Sequence, residues 1–165
     1  MKKGGRKKHE SSSSQLEQLL VNELYQVGLK INGEVVKELS EAINSALKVA
    51  DNKLRETFGE AGKSFLNGAY MVASGRKDFK EYIAEMHQIY QTMITGISDA
   101  LAEAYKVFGE KVDNIPRKIG KELGERVYDV GRQIITKMVL EMINKYLSHE
   151  SYKETPKKYY RKRRQ

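Results

Sequence analysis

Phe79, Met86, Met93, Ala100 and Val107 stand seven residues apart, and Ile83, Tyr90, Ile97 and Ala104 fill the intervals. Alternating steps of four and three keep all of them on one stripe of an α-helix, because 3.6 residues complete a turn. A strand would scatter them over two faces. Asp78, with Glu81 three residues on, carries the signature of a helix start. The spacing predicts one helix over residues 78–108, roughly 45 Å long at 1.5 Å per residue.

The rest of the chain also reads as helix. Ser14 and Glu17 fit a capping box, followed by Leu16, Leu19, Leu20, Leu24 and Val27 at helical spacing, with Gly28 as a stop and Asn32-Gly33 as a turn. A second helix is expected over residues 34–58, on Val35, Val36, Leu39, Ile43, Leu47 and Leu54, closed by Gly59. A shorter one should follow over residues 60–73, ended by Ser74-Gly75. After the heptad-like helix a short link, residues 109–114, leads to Pro116, whose missing N–H costs least in a first turn. The last helix is expected over residues 115–147, forming an antiparallel hairpin with its predecessor because the link is short. Its apolar stripe widens from Ile134/Ile135 through Met138/Val139 and Met142/Ile143 to Tyr146/Leu147. An arc that wide needs cover on more than one side, which suggests subunit contacts there. The fold class that results is all-α, a helical bundle with long antiparallel helices over residues 14–149.

Charge is partitioned along the chain. The net charge is +8, but residues 1–10 hold five Lys/Arg against one Glu, and residues 150–165 hold seven against two. Residues 11–149 carry 18 basic and 19 acidic side chains, so the body is close to neutral. Two cationic arms on a balanced globule are the electrostatic layout of a polyanion binder. The N-terminal arm, residues 1–13, brings Lys2, Lys3, Arg6, Lys7 and Lys8 around Gly4-Gly5. The C-terminal arm, residues 150–165, brings Lys157, Lys158, Tyr159, Tyr160, Arg161, Lys162, Arg163 and Arg164. Segments this basic lack the apolar surface to offset their ordering entropy, so flexible arms are expected. Lysine and arginine suit phosphates, and the paired tyrosines can stack on bases or sugars. Nothing there presents fixed base-reading side chains on a groove-sized element, so binding should be independent of sequence. A solubilising tail or a localisation signal is the plainer reading of the same residues.

On the last helix Arg117, Lys121, Tyr128 and Arg132 are spaced four, seven and four apart and share an arc away from the core stripe. Gly120, Gly124 and Gly131 border that arc. Each glycine costs a helix roughly 1 kcal/mol relative to alanine, so a close approach by another helix or by a phosphate backbone should compensate. Close helix packing is the favoured account, since Glu125 also borders the arc.

Enzyme chemistry finds little to stand on. Residues 57–64 end in Gly62-Lys63-Ser64 like a phosphate-binding loop, but Thr57 occupies the first glycine position and a helix, not a strand, precedes it. His9, His87 and His149 show no metal-ligand spacing, and there is no cysteine. Acidic residues alternate with lysine and arginine as solvated faces do. No catalytic, cofactor-binding or metal-binding residue is assigned. No apolar run approaches the ~20 residues that span a bilayer and no signal-peptide core is visible, which reads as a soluble, intracellular chain.

With a basic N-terminal arm (Lys2 to Lys8), a helical hairpin over residues 78–147, and the cationic segment Lys157 to Arg164, the layout resembles the major capsid proteins of filamentous and rod-shaped archaeal viruses. The resemblance implies a virion subunit, assembled in the host cytoplasm and arrayed helically around double-stranded DNA, either with copies of itself alone or with a paralogous capsid protein as well. Two other readings of the charged arms stand beside it: a cellular architectural or ribonucleoprotein subunit in the cytoplasm or nucleoid, and a peripheral protein held on anionic lipid.

Overall fold

The computed structural model describes residues 12–148, so the expected arms lie outside it apart from Ser12 and Ser13. The described chain is all-α: α1 (Ser12–Gln26), α2 (Gly33–Ala73), α3 (Phe79–Val112), α4 (Ile115–Ile119) and α5 (Lys121–Leu147). It contains no strand among the described residues.

Local chemistry accounts for most of the ends. α1 begins at Ser12, two residues ahead of the expected cap, so Ser14 lies in its first turn. It stops where Gly28 takes φ +76°. There Leu29 N–H donates to the Leu24 carbonyl at 2.8 Å and Gly28 N–H to Tyr25 at 3.0 Å, a closure that glycine adopts without penalty. The same closure recurs at Gly75, where Arg76 N–H reaches the Met71 carbonyl. Asn32 is less a turn than a cap, its side chain accepting from Glu34 N–H at 2.8 Å. Asp78 caps α3 as expected, accepting from Lys80 N–H at 2.6 Å.

Three expected boundaries are corrected. α2 runs unbroken through Gly59 and Gly62, because both stay at helical φ while Leu54, Thr57 and Gly68 are buried along its length. The phosphate-loop-like segment is therefore the middle of a helix. α3 continues past Gly109 to Val112, held by the buried Phe108 and Val112. The last helix is broken at Gly120, with φ +93°, into α4 and α5. The break folds Pro116 onto Gly124, where a β-carbon would stand 2.8 Å from the proline ring.

The contacts set the topology. Thr57 meets Gly96 and Tyr82 meets Gly68, so α2 and α3 form an antiparallel hairpin. Phe108 lies on Gly131, and Tyr105 hydrogen-bonds Thr136, so α5 runs antiparallel to α3. Being antiparallel to α3, α5 runs parallel to α2, to which Tyr146 is bonded through Asp51, while Lys118 of α4 pairs with Glu38 near the start of α2. Leu16, Leu20 and Leu24 of α1 close the core formed by the first half of α2, the second half of α3, and α5. Arg126 fastens the end of α1 to α5 by donating to the Val27 carbonyl at 2.9 Å.

Most of the wide arc of α5 is covered within the chain. Ile134, Ile135, Val139 and Ile143 are buried and Met138, Met142 and Tyr146 pack partly buried against the core, while Leu147 at its end is 58% exposed, which leaves little of the arc to call for subunit contacts. The heptad stripe of α3 divides instead. Its later members Ala100 and Ala104 are buried, whereas Phe79, Ile83 and Tyr90 are exposed. α5 stops at Leu147, where the Tyr146 ring stacks on Phe58 at 5.5 Å, and the α2–α3 hairpin projects beyond it.

Candidate nucleic-acid interface

Of the residues expected to contact nucleic acid, Lys2, Lys3, Arg6, Lys7, Lys8 and Lys157, Lys158, Tyr159, Tyr160, Arg161, Lys162, Arg163 and Arg164 lie outside the described residues. Arg117, Lys121 and Arg132 lie within them, and the break at Gly120 separates the first from the other two. Lys121, Tyr128 and Arg132 still share a face of α5, being seven and four residues apart.

Arg132 is the most defined cation of the set. Its guanidinium carbon sits 4.4 Å from the centre of the Tyr105 ring and 5.9 Å from that of Tyr128. Tyr128 is in turn tilted against the buried Phe108, ring centres 5.3 Å apart. A cation over two ring faces is attracted by their quadrupoles, and the stacking limits its rotamers in a residue that is itself exposed. No carboxylate pairs with Arg132 among the described residues.

The other two cations are compensated. Lys121 has Glu125 at 4.0 Å, both side chains largely exposed, so the pair contributes little. Arg117 lines an open cleft between α2 and the α3–α4 junction with Lys111 and Lys118, but Glu38 and Glu41 line it too. The hydrogen bond from Lys118 to Glu38 holds that ammonium above the ordinary lysine range. The cleft is thus of mixed sign.

The glycines bordering the arc serve packing. A β-carbon at Gly131 would stand 2.1 Å from the Phe108 ring, and Gly124 lies against Pro116. Gly120 supplies the left-handed turn. His87 is exposed on α3. Sequence reasoning missed two polar links that a helical repeat does not reveal: Arg126 to the Val27 carbonyl and the Asp51–Tyr146 bond, each bridging elements more than 90 residues apart. Among the described residues no three His, Cys, Asp or Glu gather as a metal site, and no helix is long and apolar enough to cross a membrane.

No family model, no curated protein and no solved structure matches the chain. The functional reading rests on its own charges and packing.

Proposed function

We propose that this chain is a non-enzymatic structural protein that self-assembles and packages nucleic acid, a capsid or nucleocapsid subunit that binds double-stranded DNA through its phosphates. The observation that carries the reading is the partition of charge: a near-neutral helical body between cationic segments at residues 1–10 and 150–165. Counterion release from DNA rewards that layout without any base contact. Arg132, held over Tyr105 and Tyr128 and unpaired with any carboxylate among the described residues, adds a cation on the body itself. The likeness in layout to capsid proteins of filamentous archaeal viruses favours a virion subunit within this reading.

The test is titration of duplex DNA at two salt concentrations, with electron microscopy of the mixtures. If ~6–10 phosphates are neutralised, affinity falls about 10³–10⁵-fold between 50 and 200 mM salt. Regular filaments or particles are expected at saturation. A complex insensitive to salt overturns the reading, as does binding to anionic vesicles with no binding to DNA.

A further inference from the structure

The projecting end of the α2–α3 hairpin carries an apolar trough that no helix of the described residues fills. On α3, Phe79, Ile83, Tyr90 and Ile94 continue the line of Ile97, Leu101 and Phe108, the residues that pack into the core beside α5. On α2, Phe65 and Leu66 lie seven and eight residues beyond Phe58, which stacks on Tyr146 of α5. The trough is therefore the continuation of the groove that α5 fills, past the point where α5 stops. Its floor is aromatic: the buried Tyr82 ring has Phe65 at 6.2 Å on one side and Phe79 at 6.5 Å on the other.

The six side chains that line it, Phe65, Leu66, Phe79, Ile83, Tyr90 and Ile94, are 44% to 65% exposed. With roughly 150–200 Å² each to bury, they leave on the order of 500 Å² of apolar surface in water. That is the upper range for one patch on a monomer. It also matches what a homodimer face needs, since ~800 Å² per partner at ~65% apolar is about 500 Å². Charge indicates the occupant. Residues 59–95 hold four basic and four acidic side chains, so the projection neither attracts a polyanion nor favours the cationic arms, and two copies meet without net repulsion.

We infer that the projecting hairpin is the self-association surface of this chain: the troughs of two copies pack face to face, completing a four-helix arrangement from two two-helix projections. This deepens the assembly half of the proposed function and moves the subunit contact from α5 to residues 59–95. It requires no nucleic acid.

Sedimentation of the full-length protein, free of nucleic acid and at about 0.5 M salt where surface charge is screened, reads the association directly. A concentration-dependent dimer is expected below about 100 μM. Ile83→Glu/Ile94→Glu, at two exposed positions, should weaken it by about 100-fold or more, the scale of losing two interface anchors, with circular dichroism and melting temperature unchanged. Because the chain has no cysteine, a solvent-sensitive dye on Tyr90→Cys reports this one place. Its shielding should rise with protein concentration. A monomer at about 100 μM overturns the inference, as does a double variant that associates like the parent. A dye that is shielded in a species sedimenting as a monomer also overturns it, by making the cover intramolecular. DNA binding by the double variant is scored separately, so loss of the dimer with retention of DNA binding refines the proposed function without refuting it.

Discussion

Phe108 fills the space that a side chain at Gly131 would need: a β-carbon there would stand 2.1 Å from Cζ and 2.8 Å from Cε1 of the ring. The ring cannot retreat, because Phe108 is fully buried and Tyr128 is tilted against it. Gly131→Ala should therefore destabilise the fold. Overpacking of this kind costs ~1–3 kcal/mol, against which alanine returns up to ~1 kcal/mol of helix propensity. A lower urea midpoint is expected, with partial recovery in Gly131→Ala/Phe108→Leu.

Gly59 and Gly62 predict the opposite sign. Apart from the local helix backbone, no atom of the described residues lies within 4 Å of where a β-carbon would stand at either, and neither has positive φ. Alanine at each should stabilise the protein by about 0.5–1 kcal/mol, read as a higher melting temperature. If α2 ended at Gly59 in a left-handed cap, Gly59→Ala would lower it instead.

These two cases show what the sequence made legible. The helical class, the cap at Asp78 and the stops at Gly28 and Gly75 are local chemistry and can be read from neighbouring residues. Gly59 and Gly109 look like the same stops, yet they continue their helices, because buried residues on both sides outweigh a cost of ~1 kcal/mol. Gly120 looks like an interior glycine but breaks the helix, since Pro116 packs against Gly124. That contact depends on a fold-back which periodicity does not encode. On α3 the repeat correctly identified an apolar face; the end of α5 at Leu147 decides which half of it is covered. For the candidate site, charge and position were legible in Arg132, but its seat over Tyr105 depends on the α3–α5 pairing.

Tyr146 ties α5 to α2 by donating to Asp51 Oδ1 at 2.7 Å while its ring stacks on Phe58. Burial, then the hydrogen bond to Asp51 and that carboxylate's charge, push the phenol up to about 12. Arg55, paired with Asp51 at 2.8 Å, acts in the other direction. The folded value exceeds the unfolded one of ~10, so the contribution is complete below pH ~10 and is lost as pH rises through about 12. Tyr146→Phe should cost about 1 kcal/mol at neutral pH. The gap between the two urea midpoints should then close as pH rises above ~10, since the Tyr146 phenol is the one group by which the two proteins differ.

Ser40 is buried in the core side of α2, and its hydroxyl has no hydrogen-bond partner among the described residues. Ser45, by contrast, donates to the Glu41 carbonyl one turn back at 2.9 Å. Removing an unsatisfied buried hydroxyl relieves a penalty of ~1–3 kcal/mol, and alanine also favours helix. Ser40→Ala should raise the melting temperature, and Ser40→Val, which adds bulk at a closed site, should lower it.

Arg132 separates a phosphate contact on the helical body from contacts made by the arms alone. If it neutralises one phosphate, Arg132→Ala should weaken duplex binding by a similar factor for every sequence and reduce the slope of log affinity against log salt by about 1. Lys121→Ala should change the slope less, because Glu125 at 4.0 Å already offsets that charge. Arg132→Lys keeps the charge but loses the planar guanidinium over Tyr105, so it should restore the slope and only part of the affinity. Arg132 would have no part in binding if its alanine variant kept both slope and affinity, leaving the cationic segments at residues 1–10 and 150–165 to account for all of the salt dependence.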